Sequence, residues 1–175
     1  KKAPKGEYIR TWEEFEWISD TRVAMKLLAK KGFKFIVITN QAGIARGMVG
    51  LNELEKIHIN MKKELLSDGI EILDIYICPH HWDEDCLCRK PNPGMLLKAS
   101  KDWLLRLDKT LFIGDDYRDS KTSYNAGCKS VLIEKKTEIA KLLEHEMPIY
   151  TNIRLTQCIS NILDIFNTNK SNDNN

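Results

Sequence analysis

The sequence predicts an α/β fold in which a mostly parallel sheet is flanked by helices. Apolar or β-branched runs at 34–39, 72–77, 110–113 and 129–133 alternate with stretches of helical periodicity, which is the pattern of strand–helix–strand units. The first run, Lys-Phe-Ile-Val-Ile-Thr, is continuous rather than alternating, as in a buried parallel strand. Three polar or ligating residues, Thr39, Cys78 and Asp115, sit at predicted strand ends. In open parallel sheets, sites form beyond the carboxyl ends of the strands.

The elements follow in order. Residues 20–31 read as a helix with Val23, Met25, Leu27 and Leu28 on its apolar face and Gly32 as its stop. The strand at 34–39 leads into a loop marked by Gly43 and Gly47. Asn52 is placed to cap a helix on which Leu54, Ile57, Met61 and Leu65 recur at helical spacing. The strand at 72–77 runs directly into Cys78. Pro93 opens a helix through Leu105, and the strand at 110–113 ends in Gly114-Asp115-Asp116. A helix at 117–126 stops at Gly127, and the strand at 129–133 is followed by helices near 136–146 and 155–166. Residues 1–166 are expected to form one domain. The tail 167–175, rich in Asn, Lys, Ser and Asp, is expected to be disordered.

Composition narrows the class. A chain of 175 residues can bury a real core. With 27 basic against 25 acidic residues the formal charge is +2, which argues against a dedicated nucleic-acid surface. No apolar run approaches the roughly 18 residues that read as a membrane span. No secretory leader is visible, although the chain starts at Lys1 without Met. Clustered Cys with His, beside the isolated Cys128 and Cys158, fits a reducing cytoplasm and metal binding better than a disulfide framework.

The densest chemistry lies at 78–88, which holds three of the five cysteines and two of the four histidines. Such a concentration of thiol and imidazole suits a tetrahedral Zn²⁺ site. The expected ligands are Cys78, His80, Cys86 and Cys88, with adjacent His81 as the alternative to His80. Cys78 and His80 flank Pro79 at alternate positions and so face the same way. Four protein ligands leave no open position, so the ion is expected to be structural. Asp83, Glu84 and Asp85 are expected to solvate the loop. Arg89 and Lys90 follow at once, as charged groups held by a stapled loop.

Two further segments carry weaker signals. Thr39-Asn40-Gln41-Ala42-Gly43-Ile44-Ala45-Arg46-Gly47 offers a hydroxyl, amides and approachable backbone N–H groups at a strand end, which suits a phosphate, though an ordinary turn has the same composition. Gly114-Asp115-Asp116-Tyr117-Arg118-Asp119 clusters carboxylates that suit Mg²⁺, although Asp residues also cap helices. Together with Lys90 these are the parts of phosphoryl transfer, which is catalysed mainly by positioning and charge neutralisation.

The ordered set Thr39, Lys90 and Gly114-Asp115-x-x-x-Asp119 resembles the haloacid dehalogenase (HAD) phosphatase superfamily. Thr39–Gly47 and Cys88-Arg-Lys-Pro-Asn-Pro-Gly-Met95 look like its heptose bisphosphate phosphatases, which have histidinol-phosphate phosphatase relatives. The resemblance covers roughly residues 7–145. It implies a Rossmann-like HAD fold with a zinc-stapled loop and no large cap domain. It also implies a cytoplasmic, monomeric, Mg²⁺-dependent phosphatase acting on a small sugar phosphate through an aspartyl phosphate, without a nucleic-acid or membrane partner. On this resemblance Thr39, Lys90 and Asp115 are catalytic, and Thr39, Asn40, Gln41, Ala42, Arg46, Arg89, Lys90 and Asp116 bind substrate. Asp115 ligates Mg²⁺, while Asp119 either completes that site or supports the loop. Arg89 reads the rest of the substrate, such as a second phosphate, by a forked contact.

Three departures matter. The five-residue gap between His80 and Cys86 resembles the histidinol branch. Asp116 stands where heptose enzymes often carry Lys, and an acidic group repels phosphate. The family's nucleophile lies in an Asp-x-Asp motif on the first strand, closely followed by a segment like Lys1–Trp12. Here the only Asp before Thr39 is Asp20. A first strand upstream of Lys1 is the expected source of that motif. The alternatives are a catalytically silent zinc-containing module and one domain of a larger bifunctional protein.

Overall fold

A computed structural model describes residues 7–18, 20–133 and 136–172. The chain divides into two compact units, Lys1–Arg89 and Lys90–Asn175, where one domain over 1–166 is expected from the sequence. Every paired strand runs parallel to its neighbour, and the strands form two sheets, one per unit.

The first unit contains α1 (Thr21–Ala29), β1 (Phe35–Asn40), α2 (Leu51–Ser67) and β2 (Ile72–Cys78). Of the segment Lys1–Trp12, residues 1–6 lie outside the described residues. The β1–β2 register sets Thr39 opposite Ile77 and Asn40 opposite Cys78, so the end of one strand lies beside the first cysteine. On α2 the buried residues are Leu54, Ile57, Met61 and Leu65, the four picked out by helical periodicity. Met61, Leu65, Ile70 and Ile72 form a core against which Trp12, Phe15, Trp17, Phe35 and Val37 pack. Leu65 and Ile70 are almost wholly buried, and each burial stabilises the unit by about 1.5–3 kcal/mol. Trp12 stacks on Phe15, which meets Trp17 edge-on, so the segment before α1 supplies aromatic cover without regular structure.

Two local expectations are corrected. On α1 the inward residues are Ala24 and Leu28, and Val23 and Leu27 are exposed. Leu28 is buried and Met25 packs against the core, as expected, whereas Ala24 takes the inward place expected of Val23 and Leu27. Arg22 anchors that face by donating to Asp68 at the end of α2, with Nε at 2.7 Å and Nη2 at 2.6 Å. Asn52 lies inside the first turn of α2; Gly50 occupies the cap position and there is no side-chain cap hydrogen bond.

The second unit contains α3 (Gly94–Trp103), β3 (Leu111–Gly114), α4 (Tyr117–Ala126), β4 (Lys129–Ile133), α5 (Lys136–Ile139), β5 (Tyr150–Asn152) and α6 (Ile159–Asn172). The strand order is β3-β4-β5. Val131 and Leu132 of β4 are buried, as are Met95, Leu96 and Ala99 of α3 and Ile162 of α6. Small polar residues complete the interior: Ser130 donates to Ser120 at 3.2 Å, and Ser123 to the Cys128 carbonyl at 2.6 Å. β5 is an addition to the sequence reading. It is three residues long and lacks an apolar run. The helix expected near 136–146 ends at Ile139, and a 3₁₀ turn at Glu144–Glu146 precedes Pro148. Leu143 between them is extended, at φ −77° and ψ 159°, and its N–H donates to Glu146 Oε2 at 2.8 Å, which starts a separate turn. Helix α6 takes in residues 167–172 of the segment expected as a tail, and 173–175 lie outside the described residues.

Candidate active site

Cys78 ends β2, and the chain then folds back so that His80, Cys86 and Cys88 surround it. One ligand atom from each of the four lies within 4.8 Å of the others. Cys78 Sγ is 3.6 Å from Cys86 Sγ and 3.6 Å from His80 Nδ1, and Cys86 and Cys88 sulfurs are 3.5 Å apart. Zn–S bonds of about 2.3 Å at tetrahedral angles set sulfurs about 3.8 Å apart, so the donor set fits that ion in spacing and chemistry. All five cysteines are free thiols. Burial pushes the Cys78 thiol up and, with the two neighbouring thiols, pushes Cys88 up to about 12. Burial opposes ionisation of Cys86 too, but the Arg89 backbone N–H and hydrogen bonds with Cys88 and Cys78 outweigh it and lower the thiol to about 7.

His81 takes a different part from His80. Its Nδ1 meets the Asp83 carboxylate, its backbone N–H donates to Glu84 at 2.5 Å, and its ring lies on Trp82. Asp83 and Glu84, expected only to solvate the loop, therefore tie His81 away from the ligand set. Arg89 donates to the carbonyl of His80 at 3.4 Å, which anchors the guanidinium on a knuckle residue.

The loop expected to bind phosphate, residues 39–47, is tied to this four-ligand cluster. The Gln41 N–H donates to the Cys78 carbonyl at 2.7 Å and the Ala45 N–H to that of Pro79 at 3.3 Å. Gln41 Nε2 donates to Thr39 Oγ1 at 3.1 Å, and Ala42 is buried beneath the loop. Successive turns close on Gly43 and Gly47, the latter with φ +63°. A Cβ on Gly43 would lie 2.8 Å from the Tyr8 ring and from Val49, so only glycine admits that close approach. The exposed Arg46 stands between the rings of Tyr8 and Trp82.

In the second unit, β3 delivers Asp115 and Asp116 to the start of α4. Asp116 caps that helix: its carboxylate accepts from the Arg118 N–H at 3.0 Å and from Nε and Nη2 at 2.7 Å each. The pair holds Arg118 charged well above the ordinary guanidinium range. The Asp116 charge that would repel phosphate is thus countered by an arginine two residues on, a partner missed in the sequence. Asp119 is buried and accepts the N–H groups of Asp115 and Asp116, both at 3.1 Å, through one oxygen, and Lys90 Nζ at 2.5 Å through the other. These bonds fix the backbone of the loop that carries Asp115 and Asp116. A Cβ on Gly114 would fall 2.2–2.4 Å from the Asp119 side chain, so glycine there makes room for the carboxylate. Lys90 Nζ also sits 5.8 Å from the centre of the Phe112 ring, so its ammonium is held from two sides.

A family model described as HAD-hydrolase-like matches residues 87–164. The D-glycero-alpha-D-manno-heptose-1,7-bisphosphate 7-phosphatase of Mycobacterium bovis is 34% identical over 138 residues, covering 73% of this chain and 70% of that protein. The D-glycero-beta-D-manno-heptose-1,7-bisphosphate 7-phosphatase of Pseudomonas putida is 37% identical over 146 residues, 83% of each. The chain belongs to the HAD-like phosphatases. Among solved structures, D,D-heptose 1,7-bisphosphate phosphatase from B. bronchiseptica, complexed with magnesium and phosphate, matches with a TM-score of 0.81 and 26% identity, covering 90% of this chain and 89% of that one. The parallel α/β architecture of this phosphatase agrees with that likeness. Among its described residues, no helix is long and apolar enough to cross a membrane.

Proposed function

We propose that this HAD-like phosphatase removes the 7-phosphate of D-glycero-D-manno-heptose 1,7-bisphosphate, with Mg²⁺ as the catalytic ion and Zn²⁺ as a structural one. Residues 1–166 are proposed to act as one phosphatase domain, working as a cytoplasmic monomer on a small phosphorylated sugar, in keeping with its free thiols and its small net charge. The observation that carries the reading is a phosphate loop hydrogen-bonded to a four-ligand knuckle, in a chain 34% and 37% identical to two heptose bisphosphate phosphatases. The magnesium of the B. bronchiseptica structure supports the first ion.

Each residue has a defined task. The Thr39 hydroxyl donates to the phosphoryl oxygens, and Asn40, Gln41 and Ala42 line the loop around them. The Lys90 ammonium, steadied by Asp119, neutralises charge that builds on those oxygens in the transition state. Asp115 supplies a hard oxygen ligand, with its backbone fixed by Asp119. Mg²⁺, when bound, offsets phosphate charge and orients the group. Arg89 and Arg46 read the rest of the substrate, and Asp116 shapes its approach by fixing Arg118. The resemblance assigns the nucleophile to an Asp-x-Asp motif: its first carboxylate attacks phosphorus as the P–O bond to the sugar breaks, the sugar leaves as an alcohol protonated by the second Asp, and water then hydrolyses the aspartyl phosphate to inorganic phosphate. Zn²⁺ orders residues 78–90 and so aims Arg89 and Lys90.

Phosphate release by the full-length protein with Mg²⁺ tests the reading against a panel of the two heptose 1,7-bisphosphate anomers and histidinol phosphate. The heptose substrates are expected to turn over with the higher kcat/KM. Histidinol phosphate is the second reading, favoured by the short gap between His80 and Cys86, and its preferential hydrolysis would replace the first. Cys86→Ser is expected to lower zinc content and activity together, and full activity in a zinc-free Cys86→Ser protein would remove the aiming role.

A further inference from the structure

Arg46 is an exposed cation whose position is set by aromatic rings. Its guanidinium carbon lies 5.2 Å from the centre of the Trp82 ring and 5.7 Å from that of Tyr8, within the range of about 6 Å in which a ring face attracts a cation. Nη1 also donates to the Tyr8 hydroxyl at 3.3 Å. Among the described residues no carboxylate pairs with Arg46, unlike Arg22, Arg106 and Arg118. Both rings are themselves placed. Tyr8 lies against Gly43, where no side chain leaves room for anything else. Trp82 stacks on His81, with ring centres 3.7 Å apart, and His81 is fastened by Glu84 and Asp83. A lone surface arginine samples many rotamers, and bracketing it in advance lowers the entropy cost of an anion contact.

We propose that Tyr8 and Trp82 are positioning residues that hold Arg46 as the site's second anion-binding group, so that the zinc knuckle controls affinity for the substrate's far phosphate through Trp82 as well as through Arg89. The inference rests on the proposed bisphosphate substrate. It accounts for a tryptophan 57% exposed beside three acidic residues, Asp83, Glu84 and Asp85. A guanidinium held over ring faces keeps the N–H groups other than the one bonded to Tyr8 available, and these match a phosphate.

Steady-state kinetics of the full-length protein test it, with heptose 1,7-bisphosphate compared with a sugar monophosphate lacking the far phosphate. Trp82→Ala should reduce the preference for bisphosphate over monophosphate about tenfold, through KM rather than kcat. Trp82→Phe should restore most of that preference, because it returns a ring face. Combining Trp82→Ala with Arg46→Met should add little to Arg46→Met alone, since both remove one device. Equal losses on the two substrates, or independent and additive losses, would overturn the clamp. If the wild type hydrolyses neither substrate, the phosphatase reading fails first. Calorimetric titration with inorganic pyrophosphate then decides the clamp separately. Affinity lowered alike by Trp82→Ala and Arg46→Met, and recovered by Trp82→Phe, supports it; affinity unchanged by Trp82→Ala sinks it.

Discussion

Replacing Asp119 with Asn preserves the shape of the side chain and removes its charge. The carboxylate is 4% exposed, and it faces a Lys90 ammonium that is 15% exposed at 2.5 Å. Removing one partner of a buried ion pair costs about 3–5 kcal/mol, because the other charge is left without compensation. Lys90 keeps some access to water, which places the change near the lower end, about 3 kcal/mol. An amide oxygen can still accept from the Asp115 and Asp116 N–H groups, so that part of the loss is smaller. For a chain of this size about 3 kcal/mol corresponds to a fall in Tm of about 6–12 °C. Urea denaturation of wild type, Asp119→Asn, Lys90→Met and the double variant, followed by circular dichroism, measures the pair directly. The expected coupling energy is about 2 kcal/mol, since Lys90→Met removes the charge that Asp119→Asn strands. Additivity within about 0.5 kcal/mol would refute the argument that the two charges support one another.

Gly114→Ala should act on the same loop by displacing the Asp119 side chain. A loss of about 1–3 kcal/mol, typical of overpacking, is expected in urea melts together with weaker Mg²⁺ binding in calorimetry. Zinc uptake should release protons: with Cys78 raised, Cys88 at about 12 and Cys86 at about 7, the thiols give up about two to three protons per ion at pH 7. Affinity should therefore rise with pH, and calorimetry in buffers of different ionisation enthalpy counts the protons; fewer than about one would contradict the assignment. Burial depresses the His58 pKa below 6.5, so the neutral form is favoured in the folded state. Its contribution to stability is fully present above that value and lost as pH falls through the depressed one, and His58→Gln should flatten the pH dependence of urea melts on the acid side of 6.5.

How far the sequence revealed the fold depended on the length and purity of each signal. The four inward residues of α2 were legible because 17 residues give helical periodicity several turns in which to appear. The nine-residue α1 gives helical periodicity little more than two turns, so Val23 and Leu27 read as inward beside Leu28 although they are exposed. β5 carried no pattern at all, since three residues beside β4 are specified by pairing rather than by their own apolarity. The knuckle could be read because thiols and imidazoles at such density have few other uses. What escaped was the support around each expected group: Arg118 for Asp116, Phe112 for Lys90, and Tyr8 and Trp82 for Arg46. Of these, Tyr8 and Phe112 are 38 and 22 positions away in the chain, beyond the reach of local spacing. Trp82 did leave a trace, as an aromatic residue in an acidic loop.

The most direct test of the account is phosphorus NMR of D-glycero-D-manno-heptose 1,7-bisphosphate incubated with the full-length protein and Mg²⁺. The account predicts loss of the 7-phosphate resonance and growth of inorganic phosphate while the anomeric phosphate persists, with the rate much reduced by Lys90→Ala. An unchanged spectrum, release of the anomeric phosphate first, or full turnover in Lys90→Ala would contradict it.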